Sequence, residues 1–262
     1  MTTRTLLLMV TALASCRPSD GRCVDTASSP VVAERGVDSD QDGLDDDTEL
    51  ALAREHLPFI AHHPEDHCPL AGLVFRARPH PDDAALVVIT YSQLYARDCG
   101  LNGHIGDNEA FGAVVDPSLP PPAGLVALVA ISHQGTPCER TTTCGTCPGM
   151  NACDRVEGRA VLYCSRDKHG GAVDLGGGCS FGSCLEACAV PVVAPVLALV
   201  NAGEPDHPLV HDLTDEGFIK DGWDPALQHF DPWSRQDFGG AGNIAGDLTD
   251  PAFVLPACTC LR

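Results

Sequence analysis

The chain has 262 residues, a formal charge of −20 from 36 acidic and 16 basic side chains, and 14 cysteines. The charge argues against nucleic acid as a partner and against electrostatic docking on anionic lipid headgroups. So many cysteines in an exported chain read as a disulfide framework.

Export is read from the first fifteen residues. Arg4 supplies a positive n-region and Leu6 to Leu13 an apolar h-region. Leu13-Ala14-Ser15-Cys16 forms a small-residue cleavage site ending in cysteine. That tetrapeptide resembles the lipobox of bacterial lipoproteins, which implies lipidation at Cys16; the alternative is an ordinary secretory signal cleaved near Ser15. The apolar run is too short to span a bilayer, which takes about 20 residues. The expectation is residues 1–15 as signal peptide and 16–36 as a lipidated tether without periodicity. Acyl chains would hold the protein to a membrane of the bacterial cell envelope, periplasmic or surface-exposed. With Cys16 acylated, thirteen cysteines remain, and Cys23 in the tether is the expected odd one.

Residues 38–49 read DSDQDGLDDDTE. Asp38, Asp40 and Asp42 stand at positions one, three and five, and Gly43 makes the turn at six. Leu44 offers its carbonyl at seven, Asp46 stands at nine and Glu49 closes at twelve. This spacing aims six or more hard oxygens at one ion, the requirement of Ca²⁺. Asp46 to His56 follows as a short helix with acids in its first turn and Leu50, Ala53 and Leu57 on one stripe. Residues 37–56 thus resemble half an EF-hand, similar to the calcium loops of dockerins and thrombospondin type 3 repeats.

Beyond residue 57 short apolar runs are punctuated by Pro and Gly: Leu73–Ala77, Ala84–Leu94, Phe111–Val115, Leu125–Ser132, Ala160–Cys164 and Val192–Val200. Their Val and Ile content and short length predict buried strands. Pro191 and Pro195 make the segment from Ala189 to Val200 an edge or irregular strand. Many strands joined by long loops predict a mainly β fold, an antiparallel β-sandwich over residues 57–262 with disulfide-stapled loops. From Asp206 onward the chain reads as covering loops with a short helix at Pro225–His229. The Cys-rich insertion, residues 138–153, contains Cys144-x-x-Cys147. With Cys179, Cys184 and Cys188 a zinc ribbon can be written, but the spacings fit poorly and disulfides are expected.

A second polar cluster, Asp98 to Glu109, reads DCGLNGHIGDNE and is placed at a strand end and in the loop beyond. Asp98, His104, Asp107 and Glu109 together suit a divalent cation, and the excess of oxygen leans toward Ca²⁺ or Mg²⁺. His62, His63 and His67, with Glu65 and Asp66, form either a metal site or a strand-end loop lining the same cavity. Ser165 and His169 lie in one segment without an orienting acid, so a serine hydrolase is not expected.

Gly103-His104-Ile105-Gly106-Asp107-Asn108-Glu109 resembles the G-H-x-x-D-x-E heptapeptide of the necrosis-inducing (NPP1-like, Nep1-like) proteins and the related signature of the Vps62-like family. The run from Leu57 to Asp66, the segment from Ser165 to His169 and the run from Val200 to Glu204 resemble further elements of these families in the right order. The resemblance implies a β-sandwich with a divalent cation in a surface cavity, held by His104, Asp107, Glu109 and Asp98, with His169 near the cavity. It also implies recognition of a lipid headgroup. Gly106 stands where the heptapeptide has a second histidine and Asn108 where it has tryptophan, so toxin activity is not carried over.

The expected function is therefore binding: an exported lipoprotein that recognises a glycan or lipid headgroup through a cavity metal ion, with calcium in the 38–49 loop. The alternatives are a metal-dependent hydrolase of phosphodiesters or esters, with Glu109 or His169 as general base, and a purely structural envelope lipoprotein.

Overall fold

The runs of Val, Ile, Leu and Tyr between residues 59 and 164 form strands because their branched and aromatic side chains pack on a pleated surface buried on both faces. The computed structural model describes residues 36–38, 42–68, 70–101, 103, 105–175, 188, 192–193, 199–201, 248 and 250–257. Asp40, His104, Cys16, Cys23 and the Pro225–His229 helix lie outside these residues.

Helix α1, Asp46–His56, has the predicted bounds. Asp45 caps it by accepting the backbone N–H of Thr48 at 2.9 Å and the Thr48 hydroxyl at 2.8 Å, which holds the Asp45 carboxyl below its usual range. Asp46, Asp47 and Glu49 in its first turn suit the helix dipole. The buried stripe is Glu49, Leu52, Ala53 and His56. Leu57 is also buried and Leu50 half-buried.

The strands are β1 Phe59–His62, β2 Leu70–Pro79, β3 Val87–Arg97, β4 Ile105–Val115, β5 Leu125–Ser132 and β6 Arg140–Gly145. They continue as β7 Arg155–Val156, β8 Arg159–Cys164, β9 Gly171–Ala172, β10 Val192–Val193 and β11 Leu199–Asn201. One sheet runs β10-β1-β8-β7 with β9 on β8, and the other β11-β2-β3-β4-β5-β6. Most pairs are antiparallel, as predicted. Two are parallel, β1 with β8 and β11 with β2. Each joins strands distant in sequence, a choice that periodicity does not encode.

Between the sheets lies one apolar core. Phe75, Ile89, Tyr91, Phe111 and Leu128 from the six-stranded sheet meet Ile60, Ala160 and Leu162 from the other. Tyr91 and Phe111 stack at 4.7 Å, and the Tyr91 hydroxyl donates to the Ala53 carbonyl at 2.8 Å, tying α1 to the core. The outer face of the six-stranded sheet is covered as well. Phe253, in a 3-10 turn at Pro251–Phe253, packs with Ala110, Val129 and Ile131.

Gly112 on β4 makes that cover possible. A Cβ there would lie 2.2 Å from the Phe253 carbonyl oxygen, so Gly112→Ala must push the 250–257 segment off the sheet. The expected loss is about 1–3 kcal/mol, the usual cost of overpacking. It should appear in urea melts as a lower midpoint with an unchanged slope.

Two expectations are corrected. The insertion at residues 138–153 is not all loop: Arg140–Gly145 is the edge strand β6, with Thr142 and Cys144 buried in alternation. Asp107, Asn108 and Glu109 are not in a loop but inside β4. Cys144 pairs with Cys153, not with Cys147, and Cys68 pairs with Cys99. Cys138, Cys147 and Cys188 are also disulfide-bonded, and the free thiol among the described residues is the buried Cys164.

Candidate functional site

The inner face of β3 and β4 changes character along its length. Tyr91 lies opposite Phe111 in the core; two residues further Gln93 pairs with Glu109, and then Tyr95 with Asp107. Side chains alternate across a strand, so Gln93, Tyr95, Asp107 and Glu109 share the core-facing side, while Asn108 faces Ser92 on the other. One end of the sandwich is thus filled by polar groups. Gln93, Tyr95 and Asp107 are nonetheless buried.

The loop after β8 closes this end. His169 is 0% exposed and stacks on Tyr95, ring centroids 3.7 Å apart and planes within 6°. Its Nδ1 lies 2.7 Å from Asp107 Oδ2 and its Nε2 3.5 Å from Asp66 Oδ1, an ion-pair distance. Burial opposes a charge on His169, but the two carboxylates outweigh it and lift the imidazole to about 9. His169 is therefore an imidazolium at neutral pH. Burial likewise works against the charge of Asp66, yet His169 and the backbone N–H groups of Cys68 and Asp167 hold its carboxyl below the usual range.

Asp98, just past β3, accepts the Gly100 N–H at 2.7 Å through Oδ1 and Lys168 Nζ through Oδ2. Adjacent residues of one loop, Lys168 and His169, thus neutralise Asp98 and Asp107. The Cys68–Cys99 disulfide joins the arms that carry Asp66 and Asp98, and the Cys99 N–H donates to the Asp167 carbonyl.

On the facing sheet His62 meets Tyr95 edge-on at 6.0 Å, and Cys164 donates to Gln93 Oε1 at 3.2 Å. Burial pushes the Cys164 thiol up to about 12 and His62 down to about 4. An imidazole neutral in the fold and a thiol with no thiolate character do not make a catalytic pair. Nor do Ser165 and His169: Ser165 Oγ is buried with no hydrogen-bond partner among the described residues, while both His169 nitrogens face carboxylates.

The three neighbouring histidines do not converge. His63 Nδ1 accepts the Glu65 N–H, His67 is 73% exposed and pairs with Asp167, and His62 faces Tyr95. The parts of this run that join the site are His62, against the Tyr95 edge, and Asp66, beside His169. The only sequence signal of Asp66 was its place in a His- and acid-rich strand end.

At residues 38–49, Gly43 has φ +104°, the left-handed turn required at position six. Asp38 Oδ2 accepts the Gly43 N–H at 3.1 Å and Asp42 Oδ1 the Leu44 N–H at 2.9 Å. Asp38 Oδ1 is buried and accepts no hydrogen bond among the described residues, and Asp42 Oδ2 and Glu49 Oε1 are buried oxygens too. Glu49 is 1% exposed. Oxygens withdrawn from water at positions one, five and twelve fit a hard cation.

The fit at Asp98, Asp107 and Glu109 is poorer. A divalent ion would have to displace Lys168 or His169 from its carboxylate. Among the described residues no three His, Cys, Asp or Glu side chains group to hold a metal, either here or in the 38–49 loop, and Asp40 and His104 are not among them.

No family model and no curated protein matches the chain. Solved structures do. NLPPya in complex with mannosamine is 15% identical, covering 81% of this chain and 92% of its own, with a TM-score of 0.47. NLPPya in complex with glucosamine gives the same identity and coverage at 0.45. A structure described as a toxin fold for microbial attack and plant defense is 14% identical over 79% of this chain and 90% of its own, at 0.42. The likeness is one of fold at low identity, and no ligand or residue role is transferred from it.

Proposed function

We propose that the protein is an exported binding protein, anchored through Cys16 at the bacterial envelope, whose polar sandwich end recognises a glycan or lipid headgroup. Calcium in the 38–49 loop holds α1 and the preceding segment to the sandwich. The observation behind binding rather than hydrolysis is His169. It is fully buried against Tyr95, its Nδ1 lies 2.7 Å from Asp107 and its Nε2 3.5 Å from Asp66, and these carboxylates favour its protonated form, so it is poorly placed to act as a base and a hydrolase would have to use Glu109. Around this fixed centre, Glu109 and Lys168 are partly accessible, and Glu65 and Arg166 are exposed. Carboxylate and cationic groups at a rigid rim suit the hydroxyl, amine or phosphate groups of a sugar or headgroup.

The test is calorimetry on the mature, disulfide-bonded protein with glucosamine, mannosamine and sphingolipid-containing vesicles, alongside metal content per chain. Glu109→Gln is expected to weaken ligand binding at least about tenfold, the loss of one charge-assisted hydrogen bond, with calcium content unchanged. Glu49→Gln should lose the ion and keep the ligand. No binding by the wild type in Ca²⁺ or Mg²⁺ would end this reading. A second ion, lost in Asp107→Asn, would mean that recognition runs through a cavity metal, as the heptapeptide resemblance implies.

A further inference from the structure

Glu49 and Asn201 are 152 residues apart, yet Asn201 Nδ2 donates to Glu49 Oε2 at 2.7 Å. Asn201 is the last residue of β11, which pairs in parallel with β2 through Leu199↔Leu73, Val200↔Val74 and Asn201↔Phe75. On the same strand β2, Arg78 lies in the field of Asp42, which favours its charge, although burial and Arg76 act more strongly the other way. The acidic loop is thus joined to the β2–β11 edge at position twelve, with position five in the field of Arg78.

We infer that Asn201 is a positioning residue for the cation loop, so that docking of β11 on β2 and binding of calcium at residues 38–49 are coupled. This rests on the calcium reading of that loop. The closing glutamate must present both oxygens to one ion, which requires the plane of its carboxylate to be fixed. A neutral amide fixes that plane without bringing a positive charge to compete with the cation. The donor arrives on a strand of three residues at the edge of its sheet, paired on one side among the described residues. Such edges open at a lower free energy than the core. By reciprocity, whatever β11 docking contributes to calcium affinity, calcium returns to β11 docking.

The experiment is calorimetry with CaCl₂ on the full mature chain, paired with hydrogen exchange at residues 199–201. The variants are Asn201→Leu, which keeps the side-chain volume but has no donor, Asn201→Ser, which is too short to reach, and Glu49→Gln. Asn201→Leu is expected to weaken calcium ten- to a hundredfold, the usual effect of removing a group that orients a ligand. Calcium should slow exchange at 199–201 in the wild type and much less in either Asn201 variant. Wild-type affinity in both Asn201 variants, with β11 still protected by calcium, overturns the inference while leaving the calcium loop intact. Should Asn201→Leu fail to fold, Asn201→Ser decides by the same two readouts. If the wild type takes up no calcium, wild type, Glu49→Gln and both Asn201 variants behave alike, and it is the loop reading that fails, taking this inference with it.

Discussion

Asp107→Ala should destabilise the fold by about 3 kcal/mol, measured by urea unfolding in chelator so that no bound ion contributes. His169 is fully buried, and Asp107 is its closer partner at 2.7 Å. Removing one member of a buried pair strands the other charge, which costs roughly 3–5 kcal/mol. Asp66 remains at 3.5 Å, so the loss falls at the low end of that range. Asp107→Asn separates charge from geometry: its amide oxygen still accepts from Nδ1, and about half of the loss should be recovered. A change within about 0.5 kcal/mol for Asp107→Ala, the range of an ordinary surface substitution, would mean that His169 is not charged in the fold.

Much of this architecture was legible because its signals are local. Leu125–Ser132 and Asp46–His56 have the bounds that the sequence predicts, the first as an unbroken apolar run and the second as a helix with acids at its start. β4 was legible only from Phe111 on, because Asp107, Asn108 and Glu109 look like a loop. They sit inside a strand since their partners, His169 for Asp107 and Ser92 for Asn108, come from elsewhere. The same reason hid Asp66 and Asn201, whose partners lie 103 (169 − 66) and 152 residues away. Short motifs singled out Asp107, Glu109 and His169, which the fold brings to one end of the sandwich. They carried no information on which loop neutralises Asp98, or on Cys164 being a free thiol.

Stability is expected to fall on both sides of neutral pH, with His169 behind the first part of the alkaline limb and the buried His62 and His56 behind the acid one. His169 has a folded pKa of about 9, above the value near 6.5 of an unfolded chain. Its contribution is fully present below pH 6.5 and is lost as pH rises through about 9. By linkage the loss is on the order of 3 kcal/mol. His62 is shifted the other way, to about 4, so the unfolded state gains the proton first and stability falls as pH drops from 6.5 toward 4. Other groups at this end enter later on the alkaline side. Burial pushes Cys164 up to about 12 and Tyr95 well above its usual range, so the unfolded chain ionises first at about 8.5 and about 10 and each adds a loss above that pH, whereas the depressed carboxyl of Asp66 acts only below about 3.8. Chemical denaturation at half-unit steps from pH 4 to 10 should therefore give a dome for the wild type. His169→Gln should lose the slope between pH 6.5 and about 8.5, leaving that of Cys164 above it, and His62→Gln should flatten the acid slope to the part that buried His56 supplies, each leaving the other limb in place. An unchanged alkaline slope in His169→Gln would assign it to another group. The two rings touch the same tyrosine, His169 stacked on the Tyr95 face and His62 at its edge. They titrate apart because burial lowers His62, helped by the nearby charge of His169, while the carboxylates closest to His169 outweigh its own burial.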